Sequence, residues 1–131
     1  MFTHRDKQLT KTDRDGYIGI YVGKPRISYG RRTWKMCVHN PASVFAGNDF
    51  DIGFASETYP FDMCWLRCAG ASCISQDKFQ SGDIVTVKVD MEKRVAEFLV
   101  NDTCVHCVHD LPEAIYPAVA MRAVGAYACL L

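Results

Sequence analysis

The sequence contains no run of 18 apolar residues, so no helix is expected to cross a bilayer and no membrane partner is expected. It carries no surplus of charge, since 15 Lys and Arg balance 15 Asp and Glu. Nucleic-acid domains draw much of their affinity from phosphate neutralisation and usually show a basic excess. DNA or RNA is therefore not expected as the main partner. The opening residues, Met1-Phe2-Thr3-His4-Arg5-Asp6-Lys7, are charged and lack an apolar stretch, so no secretory signal is expected. Glycine (9) and proline (5) are too sparse for a collagen-like or low-complexity chain. No segment sustains a 3.6-residue apolar period over a useful length, which argues against a helical fold.

What is present describes one folded unit. The chain has 131 residues, of which 49% are hydrophobic and 23% charged. A chain of this length buries enough apolar surface to fold without metals or disulfides. Seven cysteines are many for this length, and the number is odd. Without a signal segment, they fit a reduced intracellular chain, cytoplasmic or nuclear, that uses thiols as small apolar side chains.

The apolar pattern alternates with period two. Trp34, Met36 and Val38 share one face of a strand, and Phe50, Ile52 and Phe54 share one face of another. Met63 to Cys68 is a further candidate. In Ile84–Asp90, Val85, Val87 and Val89 point inward, with Thr86 and Lys88 outward. Met91-Glu92-Lys93-Arg94 connects to Val95–Val100, where Ala96, Phe98 and Val100 face inward. Asn101-Asp102 is a two-residue turn, because both residue types tolerate positive φ. Thr103 to Val108 pairs back, and Tyr116–Met121 and Ala126–Leu131 follow. About nine short strands at this spacing predict an all-β antiparallel sandwich or barrel. Residues 1–15 are polar and are expected to form a flexible N-terminal segment.

Five segments resemble a SPRY domain. Ser81-Gly82-Asp83 with the strand to Asp90 is similar to that family's Gly-Asp turn and alternating strand. Glu97 to Asp102 resembles its hairpin, with Asp102 in place of the usual glycine. Asp110-Leu111-Pro112 and Tyr116-Pro117-Ala118-Val119 resemble its next segment. Gly30–Met36 and Phe50–Ser56 agree more loosely. The resemblance covers about residues 16–131. It implies a bent antiparallel β-sandwich of two sheets, SPRY-like and so of the concanavalin-like kind. It also implies a non-catalytic module that binds a protein or short peptide ligand through loops at one end of the sandwich. The loops it points to are Lys24 to Tyr29, Thr58 to Trp65 and Arg122 to Gly125. The partner-binding residues expected within them are Lys24, Arg26, Tyr29, Tyr59, Trp65, Arg122, Val124 and Gly125.

The residues that could carry chemistry are weighed against plainer roles. Cys104-Val105-His106-Cys107-Val108-His109 has a C-x₂-C pair, the spacing of half a zinc site, but no well-spaced second pair follows. On a regular strand, Cys104 and Cys107 would face opposite sides. Packed thiols and no metal or other cofactor are expected. A Cys–His nucleophile would need an oxyanion hole and a sharp turn, and no such signature is present. Asp83, Asp90, Glu92 and Glu97 sit at turns or outward positions, as solvated carboxylates do. Gly23-Lys24-Pro25-Arg26 lacks the spacing of a phosphate loop. Arg31-Arg32 and Lys35 form a small basic patch near Lys24 and Arg26, suited to an acidic peptide, since guanidinium groups grip carboxylates bidentately. Tyr29, Tyr59, Phe61 and Trp65 could anchor an interface, where aromatics and arginine dominate. The rival expectations are a structural subunit of a larger complex docking through a sheet face, for which Leu99 is a hint, and a Cys/His metal-binding domain.

Overall fold

The computed structural model describes residues 2–5, 7–12, 19–23, 26–39, 50–56, 64–67, 82–121 and 124–131. Among them are eleven strands and no helix. In chain order these are β1 (Phe2–Arg5), β2 (Gln8–Lys11), β3 (Gly19–Val22), β4 (Arg31–His39), β5 (Phe50–Ser56) and β6 (Cys64–Arg67). They continue with β7 (Ile84–Asp90), β8 (Val95–Val100), β9 (Thr103–Val108), β10 (Ile115–Met121) and β11 (Tyr127–Leu130). One sheet has the order β1-β2-β11-β4-β7-β8-β9, and the other β3-β10-β5-β6.

The alternation read from the sequence sets the core. Met36 and Val38 of β4, Val85, Val87 and Val89 of β7, and Ala96 and Phe98 of β8 all belong to one buried cluster. Ile52 and Phe54 of β5 and Ile115, Val119 and Met121 of β10 meet them from the other sheet. The Phe54 ring lies 5.4 Å from Phe98 and 6.1 Å, edge-on, from Trp34. Edge-on and tilted contacts of this kind add to area burial, because ring edges carry the positive end of the quadrupole.

The hairpins are fixed by local chemistry. Asn101 (φ 49°) and Asp102 (φ 69°) form the left-handed pair that matches the twist of β8 and β9. The Asn101 Oδ1 accepts the Ile84 N–H at 3.0 Å, and its Nδ2 donates to Asp83 at 3.0 Å, which ties this turn to the start of β7. At the opposite end of β7, the Asp90 carboxylate accepts the Glu92 N–H at 3.0 Å and the Lys93 N–H at 3.3 Å. Arg94 closes that connection at φ 52°.

Three features differ from expectation. Residues 1–15 were expected to be a flexible segment, yet β1 and β2 lie within them and extend the larger sheet. Leu9 is buried in the core, and the Lys11 N–H donates to the Ala126 carbonyl at 2.9 Å. Leu9 and Lys11 of β2 are both buried, and β11 supplies the edge with which this strand pairs. Thr86 points away from the core as expected, but is 2% exposed and not solvated. It sits mid-sheet between Lys35 of β4 and Leu99 of β8. The third difference is in β9. Leu99 pairs with Cys104 and Phe98 with His106, so Val105 is an extra residue that forms a bulge. The bulge resets the alternation and places Cys104 and Cys107 on the same face, with their Sγ atoms 3.8 Å apart.

Candidate functional site

The loop before β4 is pinned at several points and presents one large side chain. Ile27 exchanges two backbone hydrogen bonds with Ile115, at 2.8 and 2.9 Å, and its side chain is buried. The Met91 N–H donates to the Gly30 carbonyl at 2.9 Å. Gly30 stands at φ 73°, a left-handed conformation that a side chain would strain. Between these fixed points, Tyr29 is 75% exposed. The tyrosine therefore projects into solvent from backbone held on both sides.

The end of the sandwich that carries Tyr29 is charged and holds two ion pairs. Arg31 Nε lies 3.3 Å from the Asp90 carboxylate, and Arg94 lies 4.0 Å from Glu113. The Leu111 N–H donates to the Arg94 carbonyl at 3.1 Å, which joins the β7–β8 connection to the segment before β10. β5 ends at Ser56, opposite Ile115, so sheet residues on both sides of the Thr58 to Trp65 loop belong to this end.

A cavity of about 330 Å³ opens between the two sheets, with Ile27 of the segment before β4 in its wall. Its walls are mostly apolar and include Leu9, Ile27, Trp34, Met36 and Val119. Lys7 and Arg32 are its cationic lining residues. β11 pairs with β4 only from His39 to Met36, and Arg32, Thr33 and Trp34 continue past that pairing into the cavity wall. Apolar walls with a few polar groups are the usual make-up of a small binding pocket.

The third loop region, Arg122 to Gly125, lies elsewhere in its described part, Val124 and Gly125. Tyr127 pairs with His39, the last residue of β4, and stacks on it with ring centroids 4.9 Å apart. Val124 and Gly125 precede Tyr127, and the Gly125 N–H donates to the Lys11 carbonyl at 2.8 Å. Tyr29 precedes the first residue of β4. The nine residues of β4 separate the two positions by roughly 26 Å, at about 3.3 Å per residue.

Of the residues singled out in the sequence, Arg26 and Tyr29 are exposed at one end of the sandwich. Val124, 39% exposed, and Gly125, at φ 86°, are at the other end, so the fold does not bring these pairs together. Trp65 lies within β6 and pairs with Gly53. Lys24, Tyr59 and Arg122 lie outside the described residues. The sequence reading named Arg32 in the basic patch but missed Lys7 and the cavity, because a space between sheets depends on how far β11 runs along β4. It also missed the shared face of Cys104 and Cys107. A signal for that existed: Val105 and Val108 both pack against the core although they are three residues apart, an odd interval that only a bulge reconciles.

No protein-family model matches the sequence, and no curated protein sequence does either. Solved structures match the fold closely. The SPRY domain of human HERC1 superposes with a TM-score of 0.75 at 20% identity, covering 95% of this chain and 87% of that one. A human SPRY domain gives 0.74 at 17% identity, over 98% and 93% of the two chains. The TRIM65 PSpry domain gives 0.68 at 11% identity, over 99% and 85%. The chain has the SPRY fold, a sandwich of two antiparallel sheets.

Proposed function

We propose that this SPRY-fold domain is a non-catalytic protein-interaction module that takes an extended peptide at the end carrying Arg26 and Tyr29. The observation that carries the proposal is the 75% exposure of Tyr29 on backbone pinned at Ile27 and Gly30. A fixed tyrosine supplies amphipathic contact area while freezing few rotamers. Lys24 and Arg26 precede it in the chain, and Tyr59 and Trp65 belong to the loop and strand that follow Ser56, beside Ile115. The adjoining cavity suits one apolar side chain of the ligand, and Lys7 and Arg32 suit a neighbouring carboxylate. The preferred ligand is thus a peptide with an apolar residue next to an acidic one. Arg122, Val124 and Gly125 belong to a separate contact in this reading.

Selection of random displayed peptides on the purified domain tests this directly. Enriched peptides should combine an apolar and an acidic residue. Their affinity, measured by titration calorimetry, should fall with Tyr29→Ala and Arg26→Ala and hold with Val124→Ala. If binding instead survives both loop changes and is lost on altering Lys88 or Leu99, the partner docks on the sheet face and the domain serves as an assembly subunit.

A further inference from the structure

The bulge in β9 creates a chemical group that a regular strand would not contain. Cys104 is opposite Leu99 and Cys107 is opposite Glu97, with the extra Val105 absorbed between them. Leu99 and Glu97 are two residues apart, so the backbones of the two cysteines stand about 6.6 Å apart, from a rise of ~3.3 Å per residue. That is near the upper end of the span a disulfide bridges. Both cysteines are free and exposed, and the thiols touch at 3.8 Å, close enough to share a proton. His106 turns inward and stacks on Phe98 at 6.1 Å, which holds the strand in this phase.

The other described pair shows that nearness in the sheet is not sufficient. Cys37 and Cys129 are direct cross-strand partners, but both are half-buried, and the Cys129 Sγ is 3.8 Å from the Leu130 carbonyl. No group of three or more metal-ligating side chains occurs among the described residues, so a metal cage is not the evident use of Cys104 and Cys107.

We propose that Cys104 and Cys107 form a surface dithiol that closes reversibly to an intramolecular disulfide by exchange with a small disulfide such as oxidised glutathione. The Cys104 thiolate attacks one sulfur of the small disulfide and releases one small thiol, which takes up a proton. Cys107 then loses its proton and attacks the Cys104 sulfur, releasing the second small thiol. Two protein thiols become one disulfide, and one small disulfide becomes two thiols. The Cys107 thiol is pushed up from its ordinary value, first by its hydrogen bond to Cys104 and then by partial burial and the charges of Cys104 and Glu97. Closure quickens as pH rises, because the thiolate is the nucleophile.

The reduced domain is incubated without oxygen in oxidised glutathione, quenched with an alkylating agent, and mapped peptide by peptide. The expected wild-type product is a Cys104–Cys107 bond, two hydrogens lighter, with little lasting glutathione adduct. Cys107→Ser should trap glutathione on Cys104, raising that adduct at least tenfold. Cys104→Ser should likewise trap glutathione, on Cys107, since removing Cys104 also removes the main cause that pushes the Cys107 thiol up. A persistent glutathione adduct on wild-type Cys104, or a bond between two molecules as the main product, would overturn the proposal. So would alkylation of both thiols at the same level with and without glutathione. Since both side chains are exposed, the serine variants leave the core intact, and circular dichroism verifies that they fold.

Discussion

The two ends of the sandwich use similar turns for different purposes. At the His39 end, polar side chains and backbone are consumed in closing the fold: Asn101 bonds to Ile84 and Asp83, and Gly125 bonds to Lys11. At the Arg31 end, Ile27 and Gly30 are tied down equally well, but Tyr29 between them is left in solvent beside an apolar cavity. The difference teaches that rigidity does not distinguish a binding end from a structural one. What distinguishes it is a large side chain that the rigid backbone has no internal use for.

The strongest test disturbs what both ends share. Phe98 is fully buried between Phe54 and His106, so Phe98→Ala should cost roughly 3–5 kcal/mol, through lost transfer energy and a residual cavity. Denaturant unfolding measures this, and a loss below about 1 kcal/mol would show that the ends do not hang from one core. The next test separates them. Tyr29→Ala should weaken peptide binding by about 1–3 kcal/mol while shifting stability by no more than about 0.5 kcal/mol. Equal binding losses in Tyr29→Ala and Val124→Ala would erase the distinction between the ends.

The converse change acts on the structural end. Asn101→Ala removes two side-chain hydrogen bonds and puts a less tolerant residue at φ 49°, so stability should fall by about 1–2 kcal/mol. Peptide affinity at the Tyr29 end should be unchanged by calorimetry. The smallest effect is expected in the sheet between the ends. The Thr86 Oγ1 is buried with no hydrogen-bond partner. Thr86→Val keeps the shape and removes the unpaired hydroxyl, so it should raise stability by up to about 1 kcal/mol. A loss on thermal unfolding would mean that the hydroxyl does have a partner in solution.

Much of this architecture was legible because period-two patterning and turn chemistry are local. Val85, Val87, Val89 and Phe98 declared their face through their neighbours, and Asn101-Asp102 declared a left-handed turn through residue type. What escaped was non-local. Leu9 gives no sign of being core until β2 is seen beside β11, since a four-residue strand carries too short a pattern. The separation of Tyr29 from Val124 follows from which end of β4 each one meets, and that depends on pairing across the sheets. Thr86 reads as a surface residue from its phase alone, yet it is buried while Lys88, two residues on in the same strand, is exposed, a difference that the alternation does not encode.

The bulge at Val105 has a consequence beyond its own strand. Among the described residues β9 is the outermost strand of the seven-stranded sheet, so its outer side is where a strand from another molecule could join and start an aggregate. An incoming strand needs a continuous row of evenly spaced partners, and the shift between Phe98 and Leu99 marks a break in that spacing. A bulge of this kind is one of the features that disfavour edge-to-edge pairing, and β9 has it without a charge or a proline. Removing Val105 should restore an even edge, and sedimentation velocity should then show more self-association than the unaltered chain shows.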